Sequence, residues 1–163
     1  MVFGISLATY TLVHVVISLV GIVSGLMVLL GMFGGKRLDG MAAIFLVTTV
    51  LTSVTGFGFP FVHVTPGIIL GVLSLVVLAI SIPARYIFRM AGKWRAIYVI
   101  TAVVALYFNC FVLVAQSFLK VPALHALAPK GNEPPFAIAQ GILLVLFIVA
   151  GIRAVKKFHP AAA

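Results

Sequence analysis

The stretch "AIYVITAVVALYFNCFVLVAQSFL", residues 96–119, decides the fold, because it carries no charged side chain over the length of a membrane-spanning helix. Such a helix needs roughly 20 apolar residues to cross about 30 Å of hydrocarbon. Two amides interrupt the run, Asn109 and Gln116. They are spaced to lie on one face of a helix, roughly two turns apart. What this polar face meets is the main functional question that the stretch raises.

The composition of the whole chain agrees with this interpretation. Of the 163 residues, 64% are hydrophobic and only 8% are charged, whereas a soluble domain carries about 25% charged residues. In water, this chain would leave far more apolar surface exposed than soluble proteins tolerate. We therefore predict an integral membrane protein, and the length suits a single domain over residues 1–163.

Four further apolar runs are long enough to span a membrane. Gly, Pro, Lys and Arg residues separate them, and backbone groups in lipid must pair within a helix. The first run lacks a basic N-terminal flank and is too long for a signal peptide, so we expect a retained helix. The prediction is an all-α, polytopic bundle of five transmembrane helices, near residues 6–33, 41–61, 66–88, 96–119 and 135–154.

The basic residues predict the orientation of the bundle, since loop Lys and Arg favour the cytoplasmic side. Most of the 11 Lys and Arg residues fall on one side of the predicted spans: Lys36, Arg37, Arg85, Arg89, Lys93, Arg95, Arg153, Lys156 and Lys157. This places the N-terminus outside and the C-terminus in the cytoplasm. The net charge of +9 then reflects topology and attraction to anionic lipid head groups at the cytoplasmic face, and we expect no nucleic-acid partner.

Several classes of chemistry lack support in the sequence. Cys110 is the single cysteine, so there is no intramolecular disulfide and no Cys/His zinc spacing. Phosphate-binding loops and hydrolase motifs are also missing. Asp39 and Glu133 both fall in predicted loops, whereas ion-coupled pumps usually keep an ionisable group within the membrane. We expect a non-enzymatic protein with no catalytic residue and no metal site.

His14 is the most informative single residue. It shares a helix face with Ser18, Gly21 and Gly25, and small residues on such a face let membrane helices approach closely. The imidazole therefore points into the bundle. It could form an interhelical hydrogen bond, bind haem or a metal, or handle protons or a substrate.

The predicted orientation brings the polar side chains within the spans to the outer half of the bundle. We expect a cluster of His14, Asn109, Gln116 and Gln140 there, with His63 as a further member. Buried amides must be hydrogen-bonded, so the cluster is either a structural seam between helices or a ligand-binding cavity. Both interpretations remain open at the level of sequence.

The cofactor question depends on the same residues. A haem held by two histidines would need His63, in "FPFVHVTPG", to fold inward toward His14. A quinone fits more loosely, since the imidazole and amides could hold its carbonyl oxygens. The cofactor therefore stays unknown, with haem and quinone as candidates.

Three segments carry a resemblance: "VTGFGFP" (54–60), "GKWRAIYVITAVVALYFN" (92–109) and "QSFLKVPALHALAP" (116–129). Together they resemble small multi-pass inner-membrane proteins of proteobacteria. The resemblance implies the bacterial cytoplasmic membrane and brings no activity with it. The chain is also loosely similar to compact b-type membrane cytochromes, but the second histidine within a span is missing.

Three classes of function follow. The leading class is a membrane protein that binds a small hydrophobic or amphipathic ligand, or that serves as a membrane subunit of a larger assembly. The second is a haem- or quinone-binding electron carrier. The third is a small-solute channel or carrier, which would need an oligomer because five helices leave little room for a pore.

Overall fold

The computed structural model describes Val2 and residues 4–161. This part of the chain forms six helices: α1 (Leu7–Phe33), α2 (Asp39–Gly56), α3 (Pro66–Tyr86), α4 (Lys93–Lys120), α5 (Pro122–Leu127) and α6 (Pro134–Lys157). All except the short α5 are long and apolar enough to cross a membrane. The five predicted spans are confirmed as helices of this kind, consistent with a multi-pass membrane protein.

Local chemistry explains where the helices begin and end. The Thr65 hydroxyl accepts a hydrogen bond from Ile68 N at the start of α3, and Pro66 takes the first helical position. Helix α2 ends at Gly56, earlier than the expected residue 61. The sequence that follows, "FGFP" (57–60), does not sustain a helix, because glycine is a poor helix former and the residue before a proline avoids the helical region.

Helices α1 to α4 form a ring in which each packs against its neighbours, and α6 lies outside the ring, mainly against α4. The helix directions alternate, so the bundle has two distinct ends. We call the end with the 34–38 and 87–92 connections the basic end, since most Lys and Arg lie there. The other end, with the 57–65 and 121–133 connections, is the proline end.

The apolar core occupies the half of the bundle toward the basic end. Its largest fully buried side chains include Phe45 of α2, Leu78 of α3, and Tyr98 and Leu106 of α4. Helix α1 joins this core through Gly25, where an added Cβ would lie 2.6 Å from Leu106 Cδ1 and 2.8 Å from the Phe45 ring. A glycine is therefore required for this close approach of three helices.

Arginine side chains join the helices at the basic end. Arg85 is only 2% exposed; it pairs with Asp39 and lies 4.9 Å from the Tyr98 ring centroid. Arg95 donates 2.8 Å hydrogen bonds to two carbonyl oxygens at the end of α6, those of Val155 and Phe158. These bonds fasten α2 to α3 and α4 to α6.

Candidate ligand cavity

A cavity of about 680 Å³ lies within the ring of α1 to α4, in the half toward the proline end. Ligand sites in proteins are typically about 300–1,000 Å³. The four helices and the 57–65 connection all contribute to its wall. The polar or charged side chains among the lining residues include His14, Ser18, Thr52, Ser53, Ser74, Asn109, Gln116 and Lys120.

Small residues create this space. Gly56, Gly67 and Gly71 line the cavity on α2 and α3. An added Cβ at Gly71 would lie 3.2 Å from the Phe57 ring, and one at Gly56 would lie 3.9 Å from His14 Cε1. The glycines thus allow the Phe57 and His14 side chains to lie close to the helix backbones. The space at the centre of the four helices is left unfilled.

The hydrogen bonds of His14 determine its tautomer. His14 Nδ1 lies 2.7 Å from Thr55 Oγ1, and that hydroxyl donates its one proton to Leu51 O at 2.7 Å. Thr55 Oγ1 must therefore accept from His14, so a neutral ring carries its proton on Nδ1, an assignment made from the hydrogen-bond network. The Nε2 lone pair is then left as an acceptor that the ring can offer to a ligand.

Asn109 forms part of the cavity wall on α4 and is nearly buried, at 8% exposure. Its Nδ2 donates to Thr49 Oγ1 of α2 at 3.2 Å. The predicted cluster grouped Asn109 with His14 and Gln140, but its amide nitrogen bonds a threonine hydroxyl on the neighbouring helix instead. The amide therefore connects α4 to α2 while still contributing to the cavity wall.

Thr52 is a cavity residue that was not among the predicted site residues. Its buried Oγ1 has no hydrogen-bond partner among the described residues. Thr52 lies midway between Thr49 and Thr55, and the helical rise separates those two by about 9 Å along the axis. Along α2, Thr49 bonds Asn109 and Thr55 bonds His14, and the unpaired Thr52 hydroxyl lies between these two contacts. The sequence signal for Thr52 was the three-residue spacing of Thr49, Thr52 and Thr55, which places them near one another on α2.

Gln116 and Lys120 lie on the rim of the cavity, and both are exposed. Lys120 was not among the predicted site residues, although it follows Gln116 by one helical turn on the same face. No carboxylate lines the cavity within the described part of the chain. The one positive charge at this rim is therefore not neutralised by an acid.

Two of the predicted site residues lie elsewhere. Gln140 of α6 is buried against α4, where its Nε2 donates to Phe111 O at 3.1 Å, and its Oε1 has no partner among the described residues. His63 is exposed on the 57–65 connection. The structure therefore brings together His14, Asn109 and Gln116, and separates Gln140 and His63 from them.

This arrangement bears on the two cofactors considered from sequence. His14 is the only histidine among the described residues that line the cavity. Across the described ranges, Val2 and 4–161, no group of three His, Cys, Asp or Glu side chains could hold a metal ion. A haem held by His14 and His63 would require the 57–65 connection to refold.

The exposed side chains in the cavity wall show where it opens. Leu7, Val15 and Leu19 of α1, Leu113 of α4 and Val121, which follows α4, are each between 39% and 44% exposed. The lining residues of α2 and most of those of α3 are more deeply buried. The opening therefore lies between the outer parts of α1 and α4, on the side of the bundle, and its edge is apolar except for Gln116 and Lys120 of α4.

A second space, of about 400 Å³, lies between α4 and α6. Tyr107 and Lys156 are the polar residues in a lining that is otherwise Gly, Val, Leu, Ile and Phe. Specific sites combine an apolar wall with several convergent polar groups. The cavity within the ring meets this description and the α4–α6 groove does not.

No protein-family model, curated protein or solved structure matches the chain. The cavity within the ring is therefore the basis for assigning a function.

Proposed function

We propose that this chain is a multi-pass protein of the bacterial cytoplasmic membrane that binds a small hydrophobic or amphipathic ligand in the cavity of α1 to α4. The observation that carries the proposal is the combination of a largely apolar opening with polar groups inside, among which His14 Nε2 has no protein partner in the described hydrogen bonds. A structural seam would use this nitrogen between helices, since buried polar groups are normally paired.

The orientation is part of the proposal. Lys and Arg at the basic end favour a cytoplasmic location for that end, where they also attract anionic head groups. The N-terminus and the cavity then lie toward the outside, and the C-terminus lies in the cytoplasm. The ligand would enter from the outer leaflet.

The redox alternative has one supporting observation. A histidine that donates through one ring nitrogen and keeps the other free is the arrangement found in metal ligands, and His14 has it through Thr55. Because a second axial histidine is missing from the cavity wall in the described residues, a reduced quinone, whose hydroxyl can donate to the free nitrogen, is the better redox candidate than haem.

Native mass spectrometry of the mildly solubilised protein, together with a visible absorption spectrum, tests the proposal. We expect a bound mass of lipid-like size in the wild type. A Ser18→Phe variant fills the cavity wall and should lose that mass, whereas Ile142→Phe on the exposed surface of α6 should keep it. A wild-type polypeptide with no bound mass would contradict ligand binding. A haem absorption band would replace the proposal with the redox alternative.

The orientation has a separate test. In a Cys110→Ala background, a His63→Cys variant places one thiol on the exposed 57–65 connection. We expect a membrane-impermeant maleimide to label it in intact cells whose outer membrane has been permeabilised. Labelling only after lysis of the inner membrane would reverse the orientation.

A further inference from the structure

We propose that the ligand of this cavity is an uncharged amphiphile whose hydroxyl or phenol group donates a hydrogen bond to His14 Nε2, and whose apolar tail leaves between α1 and α4. This inference rests on the proposed function and adds the chemical class of the ligand and its route. It follows from the tautomer of His14, the charges around the cavity and the position of the opening.

The chemical class of the head group follows from the hydrogen bond that His14 Nε2 can accept. Because Thr55 directs its only proton to Leu51 O, His14 must donate through Nδ1 and present a lone pair at Nε2. A carbonyl, ether or carboxylate oxygen cannot pair with this lone pair. An O–H group can, and the Phe59 ring, perpendicular to the imidazole with centroids 5.0 Å apart, covers one side of His14.

The charges around the cavity indicate a neutral head group. No carboxylate lines the cavity in the described residues, so a cationic ligand would have no counter-ion. Lys120 lies at the exposed rim. A carboxylate or phosphate would pair with it at the membrane interface rather than enter the dry interior, since a buried charge without a close partner is costly.

The apolar opening indicates where the tail lies. Val15 and Leu19 on α1 face the gap, as does Leu113 on α4. In a membrane this side of the bundle meets acyl chains. A tail that passes between these side chains stays in hydrocarbon, while the head group remains among His14, Thr52 and Asn109. The ligand would thus move sideways from the bilayer into the bundle.

Three probes with the same tail separate the possible head groups. The protein is reconstituted in phosphatidylcholine nanodiscs, and its occupancy by para-decylphenol, para-decylanisole and para-decylbenzoate is measured by native mass spectrometry at equal mole fractions. We expect the phenol to bind roughly three- to tenfold more tightly than the anisole, the effect of one hydrogen bond. The benzoate should bind more weakly than the phenol.

Variants assign the difference to His14. His14→Leu should bring the phenol and the anisole to equal affinity, while Thr101→Val, outside the cavity near the basic end, should keep the wild-type preference. The wild-type comparison between phenol and anisole does not depend on how well the variants fold. A larger side chain between α1 and α4 tests whether the ligand enters there. Leu113→Trp should slow phenol uptake, and Leu146→Trp on the exposed face of α6 should not.

Each outcome bears on one of the two proposals. Equal affinities for phenol and anisole in the wild type would overturn the hydroxyl assignment and leave ligand binding intact. Tighter binding of the benzoate would overturn the neutral head group and assign an anion to Lys120. No binding of any probe would overturn this inference, and a bare wild-type protein in the experiment above would overturn the proposed function as well.

Discussion

The two ends of the bundle use polar side chains in different ways. At the basic end, guanidinium groups reach across to other helices, as Arg85 does to Asp39 and Arg95 does to the last carbonyls of α6. Toward the proline end, hydroxyls such as Thr55 and Ser18 bond back to their own helices, to Leu51 O and His14 O. Such bonds satisfy the donor without tying helices together. The first end is cross-linked by charged side chains, whereas uncharged contacts, including those of His14 with Thr55 and of Asn109 with Thr49, join the helices around the cavity at the second.

This difference shows that polar side chains within a membrane bundle can either hold helices together or bind a ligand. A buried guanidinium must be paired at once, so it brings neighbouring helices to itself. A threonine or a histidine has spare capacity after its local bond and can keep it for a ligand. Substitutions that weaken the bundle should therefore be concentrated at the basic end, and those that alter binding at the cavity.

The largest effect is expected from the ion pair at the basic end. Asp39→Ala leaves the buried Arg85 charge without its carboxylate and should lower the free energy of unfolding by about 2 kcal/mol. That is less than the roughly 3–5 kcal/mol for a fully buried pair, because the Asp39 side chain is 66% exposed and solvent screens it. Reversible unfolding in mixed detergent micelles measures the change.

The control for this prediction is the opposite half of the pair. Arg85→Met removes the buried charge itself and leaves Asp39 in contact with solvent, so the loss should stay within about 1 kcal/mol. If Arg85→Met costs more than Asp39→Ala, the guanidinium stabilises the fold through Tyr98 and Arg37 O rather than through the carboxylate.

A somewhat smaller effect is expected where α1 meets the core. Gly25→Ala places a methyl group against the Leu106 and Phe45 side chains, and overpacking of this kind costs about 1–3 kcal/mol. Gly141→Ala on α6 has open space around the added Cβ, and it should be neutral or slightly stabilising because alanine is the better helix former. Equal effects of the two substitutions in the same unfolding assay would contradict the close approach at Gly25.

At the cavity, removal of a polar contact should matter little for stability. Asn109→Leu deletes the bond to Thr49, and such bonds between membrane helices contribute about 0.6 kcal/mol on average. We expect a loss near that value together with altered ligand occupancy. A loss above about 2 kcal/mol with unchanged occupancy would make Asn109 a structural residue and favour the seam over the site.

The smallest effect on stability is expected from the titration of Glu133 in the 121–133 connection. Desolvation alone would raise the pKa of the Glu133 carboxyl, but backbone N–H groups, including those of Lys130 and Asn132, outweigh it and hold the pKa below its usual value. The contribution of these bonds is present above the ordinary glutamate pKa and is lost as the pH falls through the lowered one. NMR shifts of the two amides should titrate with a midpoint below the ordinary glutamate pKa, and Glu133→Gln should abolish the titration.

The sequence predicted the five long helices well because a span is decided by its own length and apolarity. Other features depend on contacts between helices and could not be read in this way. Arg85 falls near the end of a predicted span and counted only as a topogenic charge, yet it is buried and paired with Asp39, which lies far from it in sequence at the start of α2. The short α5 (Pro122–Leu127) lay in a segment predicted as a loop, since one and a half turns leave no periodic pattern.

The candidate site was predicted in part for the same reason. The seven-residue spacing of Asn109 and Gln116 places both on the cavity wall, because helix geometry alone sets their common face. The depth argument grouped Gln140 with them, but depth does not specify which side of α4 a helix occupies. Helix α6 packs outside the ring, so Gln140 meets Phe111 O instead.

That outer position gives α6 a particular relation to the rest of the chain. Gln140 and Ala154 are its only buried residues in the described structure, and the Phe136 and Phe147 rings, which meet Phe118 and Tyr107, provide part of the resistance to sliding along α4. Two sets of hydrogen bonds between α4 and α6 also resist this sliding. Gln140 bonds Phe111 O near one end of α6, and Arg95 bonds Val155 O and Phe158 O at the other. A slip by one helical turn, about 5.4 Å, would break both together. The two contacts therefore set the register of the last helix, which leaves the ribosome after the ring helices have been made.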